Sequence, residues 1–247
     1  LIEVDGLKVL TDPLLRRRIM HLRRVVPGPT REQLADVDVV LISHLHHDHC
    51  DLESLAMLPD AIIIAPQGAG GYLRTRGKLS NVIELIEGES TQVRGLIFTA
   101  VHADHDGLRP PLGPRAIALG HVVSGNDGTV YLAGDADVFR GMAALPMPES
   151  RGLDVALLPV WGWGPNLGPG HMNPQRAADA LDLLQAKVAV PIHWGTLFPA
   201  MLKTTLPGSR ALLSQPPRQF AELAAAGGSG TEVLVTEPGE RVRTTHE

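Results

Sequence analysis

Four histidines and one aspartate stand within six consecutive positions near the start of the chain: His44, His46, His47, Asp48 and His49. They follow the apolar run 37–42, which predicts a buried strand with these polar residues at its end. In extended chain, residues two apart point to the same side, so His44 and His46 can close on one ion. Asp48 and His49 follow where the chain bends, and they can face a second ion. Imidazole and carboxylate suit zinc and also admit manganese or iron, so we expect a metal site.

A surface histidine cluster or a tag-like tract is the alternative explanation for this stretch. The cluster is internal and follows a buried strand, which favours the metal site. Cys50 adjoins His49 and is easily mistaken for a ligand. The preceding pattern already fills the loop, so we leave Cys50 out of the predicted ligand set.

Three later strands are also predicted to end in potential ligands. They cover 95–101, 129–133 and 188–192, and the ligands that follow them are His102 or His105, Asp135, and His193. Either His102 or His105 can supply a third nitrogen to the first ion. The glycine before Asp135 lets that carboxylate stand clear of bulky neighbours.

The first stretch resembles the first metal motif of the metallo-β-lactamase superfamily, and the later stretches are similar to its remaining motifs. Ala103-Asp104-His105 matches an Ala-x-His motif of similar members, which selects His105 over His102. The resemblance implies two ligand sets and a bridging carboxylate: His44, His46 and His105 for one ion, Asp48, His49 and His193 for the other, and Asp135 between them. It also implies an α/β fold, a four-layer α/β/β/α sandwich with two mixed β-sheets. Two divalent metal ions are implied at one edge, with zinc as the first choice and manganese or iron as alternatives.

Two further motifs look most like one branch of this superfamily. Thr11-Asp12-Pro13 and His171-Met-Asn-Pro174 resemble the branch that contains L-ascorbate-6-phosphate lactonase and N-acyl phosphatidylethanolamine phospholipase D. The histidine before the helix is implicated in the active site of that phospholipase, which makes His171 a candidate catalytic residue. Asn173 and Pro174 predict a helix start beside it. The positive end of that helix would help His171 donate a hydrogen bond to substrate or to a developing oxyanion.

The predicted site indicates a hydrolase. Two cations lower the pKa of a bridging water, supply a metal-activated hydroxide at neutral pH and polarise the carbonyl or phosphoryl group under attack. Asp48 or Asp135 accepts or shuttles the proton while also serving as a ligand. The expected reaction is hydrolysis of an ester, lactone, amide or phosphodiester in a small-molecule or lipid-like substrate. The alternatives are an RNA- or DNA-processing nuclease of the same fold and a non-catalytic metal-binding scaffold.

Length and composition narrow these alternatives. With 247 residues, of which 44% are hydrophobic and 20% charged, we expect a single domain over residues 1–247. A net charge of −5 with scattered signs gives no nucleic-acid footprint, and no apolar run is long enough for a membrane span. A single cysteine suits a reducing, cytoplasmic compartment. The chain opens at Leu1 without Met, which leaves an upstream segment or signal peptide open, and homo-oligomerisation is open too.

Three features each keep two interpretations. Five arginines between positions 14 and 26 favour an anionic substrate or a membrane surface, or else form a solvated helix face: Arg16, Arg17, Arg18, Arg23 and Arg24. Asp12 is either the hydrogen-bond partner of a metal-bound histidine or a turn residue. Trp161 and Trp163 either line a pocket or bury themselves in the core.

The remaining pattern predicts strands that alternate with helices, which is typical of an α/β layered fold. A hairpin is expected to join 1–4 and 7–10 through Asp5-Gly6. Helices are expected at 52–58, 68–76, 174–184 and 217–226. Further strands are expected at 61–65, 82–86, 95–101, 116–123, 129–133, 155–160, 188–192 and 232–236.

Overall fold

The computed structural model describes residues 1–148, 152–162, 168–199 and 208–244. Its strands are Ile2–Val4 (β1), Leu7–Thr11 (β2), Arg18–Ile19 (β3), Leu22–Arg24 (β4), Val39–Leu41 (β5), Ile62–Pro66 (β6), Val82–Leu85 (β7), Ser90–Val93 (β8), Leu96–His102 (β9), Leu119–Ser124 (β10), Thr129–Leu132 (β11), Val155–Pro159 (β12), Val188–Ile192 (β13), Leu197–Pro199 (β14) and Glu232–Val233 (β15). Its helices are Arg31–Leu34 (α1), Leu52–Leu55 (α2), Gly70–Thr75 (α3), Pro174–Leu184 (α4) and Ser209–Gly227 (α5), with a 3-10 helix at Arg140–Ala144.

The first sheet has five strands in the order β1-β2-β5-β6-β7. β1 and β2 form the predicted hairpin, and both turn residues, Asp5 and Gly6, have the positive φ that a tight hairpin turn needs. From β2 to β7 the neighbouring strands are parallel. The carboxyl ends of β2 and β5 therefore lie at the same edge, and the residues after them, Asp12 and Ser43, start out side by side.

The second sheet has seven strands in the order β15-β13-β12-β11-β10-β9-β8. β10 is antiparallel to both β9 and β11, whereas β11, β12 and β13 are parallel to one another. Because β10 runs against both of its neighbours, β9 points the same way as β11. The carboxyl ends of β9, β11, β12 and β13 thus share one edge of the sheet, and the loops that follow carry His105, Asp135, Trp161 and His193.

Apolar side chains between the two sheets form a common core. Val39 and Leu41 of the first sheet lie in one buried cluster with Phe98 and Val123 of the second. α2 and α3 cover the outer face of the first sheet. α4 and α5 cover the outer face of the second sheet. The expected four-layer α/β/β/α arrangement with two mixed sheets is therefore confirmed.

The arginine-rich segment forms a hairpin, so the expected helix face is wrong. β3 and β4 are antiparallel, and β14 adds to them as the third strand of a small sheet. Ile19 and Leu22 are paired across the hairpin and buried, while Arg18 and Arg23 form the other pair and are exposed. This alternation of buried and exposed residues is the strand pattern, which five closely spaced arginines obscure in the sequence.

The C-terminal helix begins earlier than predicted. α5 starts at Ser209, and Pro216 and Pro217 lie inside it. A proline inside a helix removes a backbone donor and normally ends the helix, which is why the sequence predicted a start at 217. Here Phe220 and Ala224 of α5 are buried in the core that it shares with α4, and this packing offsets the loss. Among the described residues, no helix combines the length and the apolar character that a membrane crossing needs.

Candidate metal centre

Three imidazoles meet beyond the ends of β5 and β9: His44, His46 and His105. Nε2 of His105 lies 3.2 Å from Nδ1 of His46, and the ring of His44 has its centroid 4.5 Å from each of the other two. Two nitrogens that each ligate a tetrahedral zinc at about 2.0–2.1 Å lie about 3.3 Å apart. The spacing of this first group therefore suits a single shared ion.

Hydrogen bonds on the far side of two of these rings select the ligating nitrogen. The hydroxyl of Ser43 donates to Oδ2 of Asp12 over 2.6 Å, so its oxygen accepts from Nδ1 of His44 over 2.9 Å. Nδ1 of His105 donates to the carbonyl oxygen of Gly170 over 2.8 Å. Each bond leaves Nε2 as the nitrogen with the lone pair, which is how bound histidines are usually oriented.

A second group contains Asp48, His49 and His193. The Nε2 atoms of the two histidines lie 3.2 Å apart, and Oδ2 of Asp48 lies 3.9 Å from each of them. Nδ1 of His49 donates to Oδ2 of Asp12 over 2.8 Å, and Nδ1 of His193 donates to the carbonyl oxygen of Trp161 over 2.6 Å. Both imidazoles therefore present Nε2 to the centre.

Asp135 lies close to both groups. Its Oδ2 lies 3.1 Å from Nε2 of His49, and its Oδ1 lies 3.4 Å from Nε2 of His193. Its carboxylate also falls within 4.8 Å of ligand atoms of His105 and His171. The carboxylate of Asp135 therefore lies near ligand atoms of both groups.

Gly134 explains how the chain brings Asp135 so close to the other loop. It has a φ of +63°, and a Cβ atom there would lie 2.7 Å from Cβ of Ser43. A side chain at this position would push the two loops apart, and an L residue would also be strained by the left-handed backbone. The glycine before the aspartate therefore permits the close approach of the two sheet edges.

Two buried atoms test whether cations fit this centre. Nε2 of His44 and Oδ1 of Asp135 have no hydrogen-bond partner within the described part of the chain. A buried polar atom without a partner costs about 1–3 kcal/mol. Cation coordination by these two atoms would remove that cost, and imidazole nitrogens with carboxylate oxygens are a donor set that zinc, manganese and iron accept.

The first group favours neutral imidazoles. Burial lowers the pKa of His44 well below its ordinary range, and neighbouring His49 lowers it further. Burial also lowers the pKa of His46 and of His105. The neutral form is the one that ligates a metal, so this group is ready to bind at neutral pH.

The second group is dominated by its carboxylates. Burial disfavours the imidazolium of His193, but Asp135 and Asp48 outweigh burial and raise the pKa of His193 to about 9. The pKa of His49 is also raised, because Asp135 and Asp12 outweigh its burial. Burial alone would raise the pKa of Asp135, but the facing imidazoles hold it well below the ordinary range. The negative charge of these carboxylates therefore favours a nearby positive charge, which a bound divalent cation would supply.

His171 lies beside both groups. Its Nε2 is 3.8 Å from Oδ2 of Asp135, and its ring centroid is 4.7 Å from that of His105. Its Nδ1 lies 3.2 Å from the carbonyl oxygen of Pro169, so Nδ1 donates there and Nε2 is the atom on the side of the centre. The predicted helix start is confirmed, since the side chain of Asn173 accepts from the first turn of α4.

Two other candidate residues, Cys50 and His102, lie outside the groups of potential ligands found in the described residues. His102 is exposed, with Nδ1 3.1 Å from a carboxylate oxygen of Glu87. Cys50 is a buried free thiol in the apolar cluster under α2 and α3. The choice of His105 over His102 agrees with this geometry.

The structure distinguishes between the two interpretations of Asp12 and of Trp161. Asp12 is the hydrogen-bond partner of His49 and Ser43. Trp161 is buried in the core, while its carbonyl serves His193. Trp163 lies outside the described residues. The sequence missed Ser43 and the carbonyls of Gly170 and Trp161, and among these only the adjacency of Ser43 to His44 offered a signal.

Comparisons with known proteins agree with this architecture. The family described as Beta-lactamase superfamily domain matches residues 8–194, a range that includes every candidate ligand. The UPF0173 metal-dependent hydrolase MK1542 of Methanopyrus kandleri is 31% identical over 243 residues, which cover 97% of this chain and 93% of that protein. The uncharacterized protein Rv0906 of Mycobacterium tuberculosis is 30% identical over 99% of this chain, which spans 66% of that protein.

A solved structure shares the fold. Igni18, a metallo hydrolase from Ignicoccus hospitalis, has a TM-score of 0.70 at 24% sequence identity, covering 97% of this chain and 91% of its own. The family match spans well over half of this chain, and the four layers and the clustered histidines agree with it. The chain therefore belongs to the beta-lactamase superfamily and has the metallo-β-lactamase fold.

Proposed function

We propose that this metal-dependent hydrolase of the beta-lactamase superfamily holds two divalent cations, zinc in the first place, and cleaves an ester, lactone or phosphodiester. The ligands that we assign are His44, His46 and His105 for one cation, Asp48, His49 and His193 for the other, and Asp135 for both. Residues 1–247 act as a single domain in this proposal, because both sheets contribute to one core and both supply ligands. A reducing, cytoplasmic compartment suits the buried free thiol of Cys50.

One observation carries the proposal. Four histidines each engage Nδ1 with an acceptor on the far side of the ring: His44 with Ser43, His49 with Asp12, His105 with Gly170 and His193 with Trp161. Each of these bonds sets the tautomer and directs Nε2 toward the centre. Metal-ligating histidines almost always have such a partner, whereas a surface cluster has no need of four.

The two carboxylates have different work to do. When bound, two divalent cations supply Lewis acidity that lowers the pKa of water and polarises a carbonyl or phosphoryl oxygen. The side chain of Asp48 is 22% exposed and that of Asp135 is 5% exposed, so Asp48 is the carboxylate that solvent water reaches. We assign proton acceptance and shuttling to Oδ2 of Asp48, while buried Asp135 holds the two imidazole groups in register.

His171 acts on the leaving group in this proposal. Its Nδ1 is held by backbone carbonyls before α4, which keeps the ring at the mouth of the centre. Protonated Nε2 can donate to the leaving oxygen or to an oxyanion, and the helix start behind it favours negative charge there.

The arginine hairpin supports an anionic, small-molecule or lipid-like substrate. β4 pairs with β14, which directly follows the loop of His193, so the hairpin flanks the metal centre. Arg16 is engaged by Asp51 and Glu53. Arg18 and Arg23 are exposed and are the better candidates for attracting an anionic group.

Elemental analysis paired with a hydrolysis panel tests the proposal. We expect about two metal ions per chain, and metal-dependent turnover of either bis(p-nitrophenyl) phosphate or an aryl lactone. His193→Ala should lose one ion and most activity. His102→Ala, at an exposed histidine outside the centre, should keep both ions and its activity. No metal after reconstitution with zinc and manganese would refute the ligand assignment. Full metal loading without turnover across the panel would favour a non-catalytic metal-binding scaffold.

A further inference from the structure

Arg109 is a buried cation beside the metal centre. It lies in the loop between β9 and β10 and is 8% exposed. Its guanidinium has no salt bridge within the described ranges of the chain. One nitrogen, Nη1, instead donates to two backbone carbonyl oxygens, those of Leu45 and Cys50, each over 2.8 Å.

These two carbonyls enclose the ligand loop. Leu45 precedes His46, and Cys50 follows His49. Within the loop, the backbone N–H of Cys50 donates to the carbonyl of His46 over 2.9 Å, which forms a turn. Arg109 therefore ties together the two ends of the turn that presents three of the candidate ligands.

Arg109 is itself held firmly. Its Cζ lies 5.1 Å from the centroid of the Tyr72 ring on α3, a cation–π contact. Its backbone N–H donates to the carbonyl of Pro114 over 3.0 Å, and its carbonyl accepts from the N–H of Gly113 over 2.8 Å. The loop is closed tightly around it, since a Cβ atom on Gly113 would lie 2.7 Å from that carbonyl oxygen.

The same loop also carries His105, four residues before Arg109. A second bond joins the two loops, because Nε2 of His47 donates to the carbonyl of Pro110 over 2.8 Å. The guanidinium thus connects the loop of His105 with the loop of His46. In the proposed function these two histidines share one cation.

A buried, unpaired cation is costly, and an apolar side chain would fill the same space at lower cost. An apolar side chain cannot hold two carbonyls at a fixed separation. We propose that Arg109 is a positioning residue, which fixes the 45–50 turn relative to His105 and so sets the geometry and the residence time of the cation held by His44, His46 and His105. This inference rests on the proposed two-cation function.

Cobalt(II) substitution of the full-length protein tests the role of Arg109. The visible absorption of bound cobalt reports its coordination geometry, and competition with a chelator gives its release rate. We expect Arg109→Met to fold, as judged by circular dichroism, with an altered cobalt spectrum and release of one cobalt faster by about 10–100-fold. The matched control is Arg115→Met in the same loop, where an exposed arginine pairs with Asp106, and it should behave as wild type.

Arg109→Lys covers the case in which Arg109→Met does not fold. Lysine keeps the charge, but it is shorter and lacks the guanidinium plane, so we expect a spectrum and release rate between those of wild type and of a disrupted site. A folded Arg109 variant with the wild-type spectrum and release rate would overturn the inference alone. A wild-type protein that binds no cobalt would overturn the proposed function, and the inference with it.

Discussion

The carboxylate of Asp12 accepts a hydrogen bond from Nδ1 of His49, and the two atoms are 2.8 Å apart. The same oxygen accepts from the hydroxyl of Ser43, which in turn accepts from His44. One carboxylate at the end of β2 therefore orients one candidate ligand in each group. From the sequence, this role was one of two interpretations of Asp12, the other being a turn residue in Thr11-Asp12-Pro13.

Replacement of Asp12 should weaken metal binding without removing a ligand. We expect Asp12→Ala to lower metal affinity by about 10–100-fold, because two imidazoles lose the partner that fixes their orientation. Chelator competition with zinc measures the change. Asp127→Ala is the control, because that aspartate exchanges hydrogen bonds with Asp5 in a turn and is not one of the candidate ligands or their partners. Equal affinities of Asp12→Ala and wild type would contradict the role.

Gly134→Ala should be more harmful than the same change at a positive-φ glycine that has open space around it. The new methyl would clash with Ser43, and alanine would also be strained in the left-handed backbone conformation at this position. We therefore expect a loss of about 2 kcal/mol or more in the free energy of unfolding, together with weaker metal binding. Gly88→Ala is the matched control, because Gly88 also has a positive φ but has nothing within 4 Å of a Cβ. Urea unfolding of both variants separates backbone strain from steric contact, and equal losses would exclude the contact with Ser43.

His121 should make the folded state sensitive to acid. It is 2% exposed in β10, and burial lowers its pKa from 6.5 to about 4, with Asp12 acting in the opposite direction. The folded state therefore binds this proton more weakly than the unfolded state. Neutral His121 thus makes a contribution to the free energy of unfolding that is fully present above pH 6.5. That contribution is lost as the pH falls toward 4, by about 3 kcal/mol in all.

Urea unfolding at several pH values, with chelator present, measures this contribution against His121→Gln. The variant lacks the titrating group, so its free energy of unfolding should fall less steeply between pH 6.5 and 4. Parallel curves for the two proteins would show that His121 does not titrate in this way.

His171→Ala should separate catalysis from metal binding. We expect both cations to remain and turnover to fall by about 10²–10⁴-fold, the usual contribution of an acid–base group. Elemental analysis and steady-state rates measure the two effects. His102→Ala serves as the control, and a His171→Ala protein that loses its metal would instead make this histidine a ligand.

The sequence predicted the residues of the centre better than the contacts that hold them. The 44–49 stretch, Gly134-Asp135 and His193 each follow a buried apolar run, so both their type and their place at a strand end were visible. The carbonyls of Gly170 and Trp161 were not, because a backbone oxygen has no residue signature. Which loop supplies that oxygen depends on how strands far apart in sequence line up at one sheet edge.

Where the fold departed from expectation, tertiary packing outweighed local preference. The segment from Arg16 to Arg24 forms a hairpin because Ile19 and Leu22 find a common buried face. β8 is a polar edge strand without a hydrophobic run, so no pattern announced it. Pro216 and Pro217 remain helical because α5 is packed against the core.

The division of candidate ligands between the two sheets has a consequence for how the chain folds. His44, His46, Asp48 and His49 follow a strand of the first sheet, whereas His105, Asp135 and His193 follow strands of the second. In the proposed ligand sets neither half supplies all the ligands of a cation, so a complete set forms only after the sheets have docked. The free energy of coordination would then add to that of the contact between the sheets. Bound cations would therefore form their full contacts late in folding and slow the separation of the two sheets during unfolding.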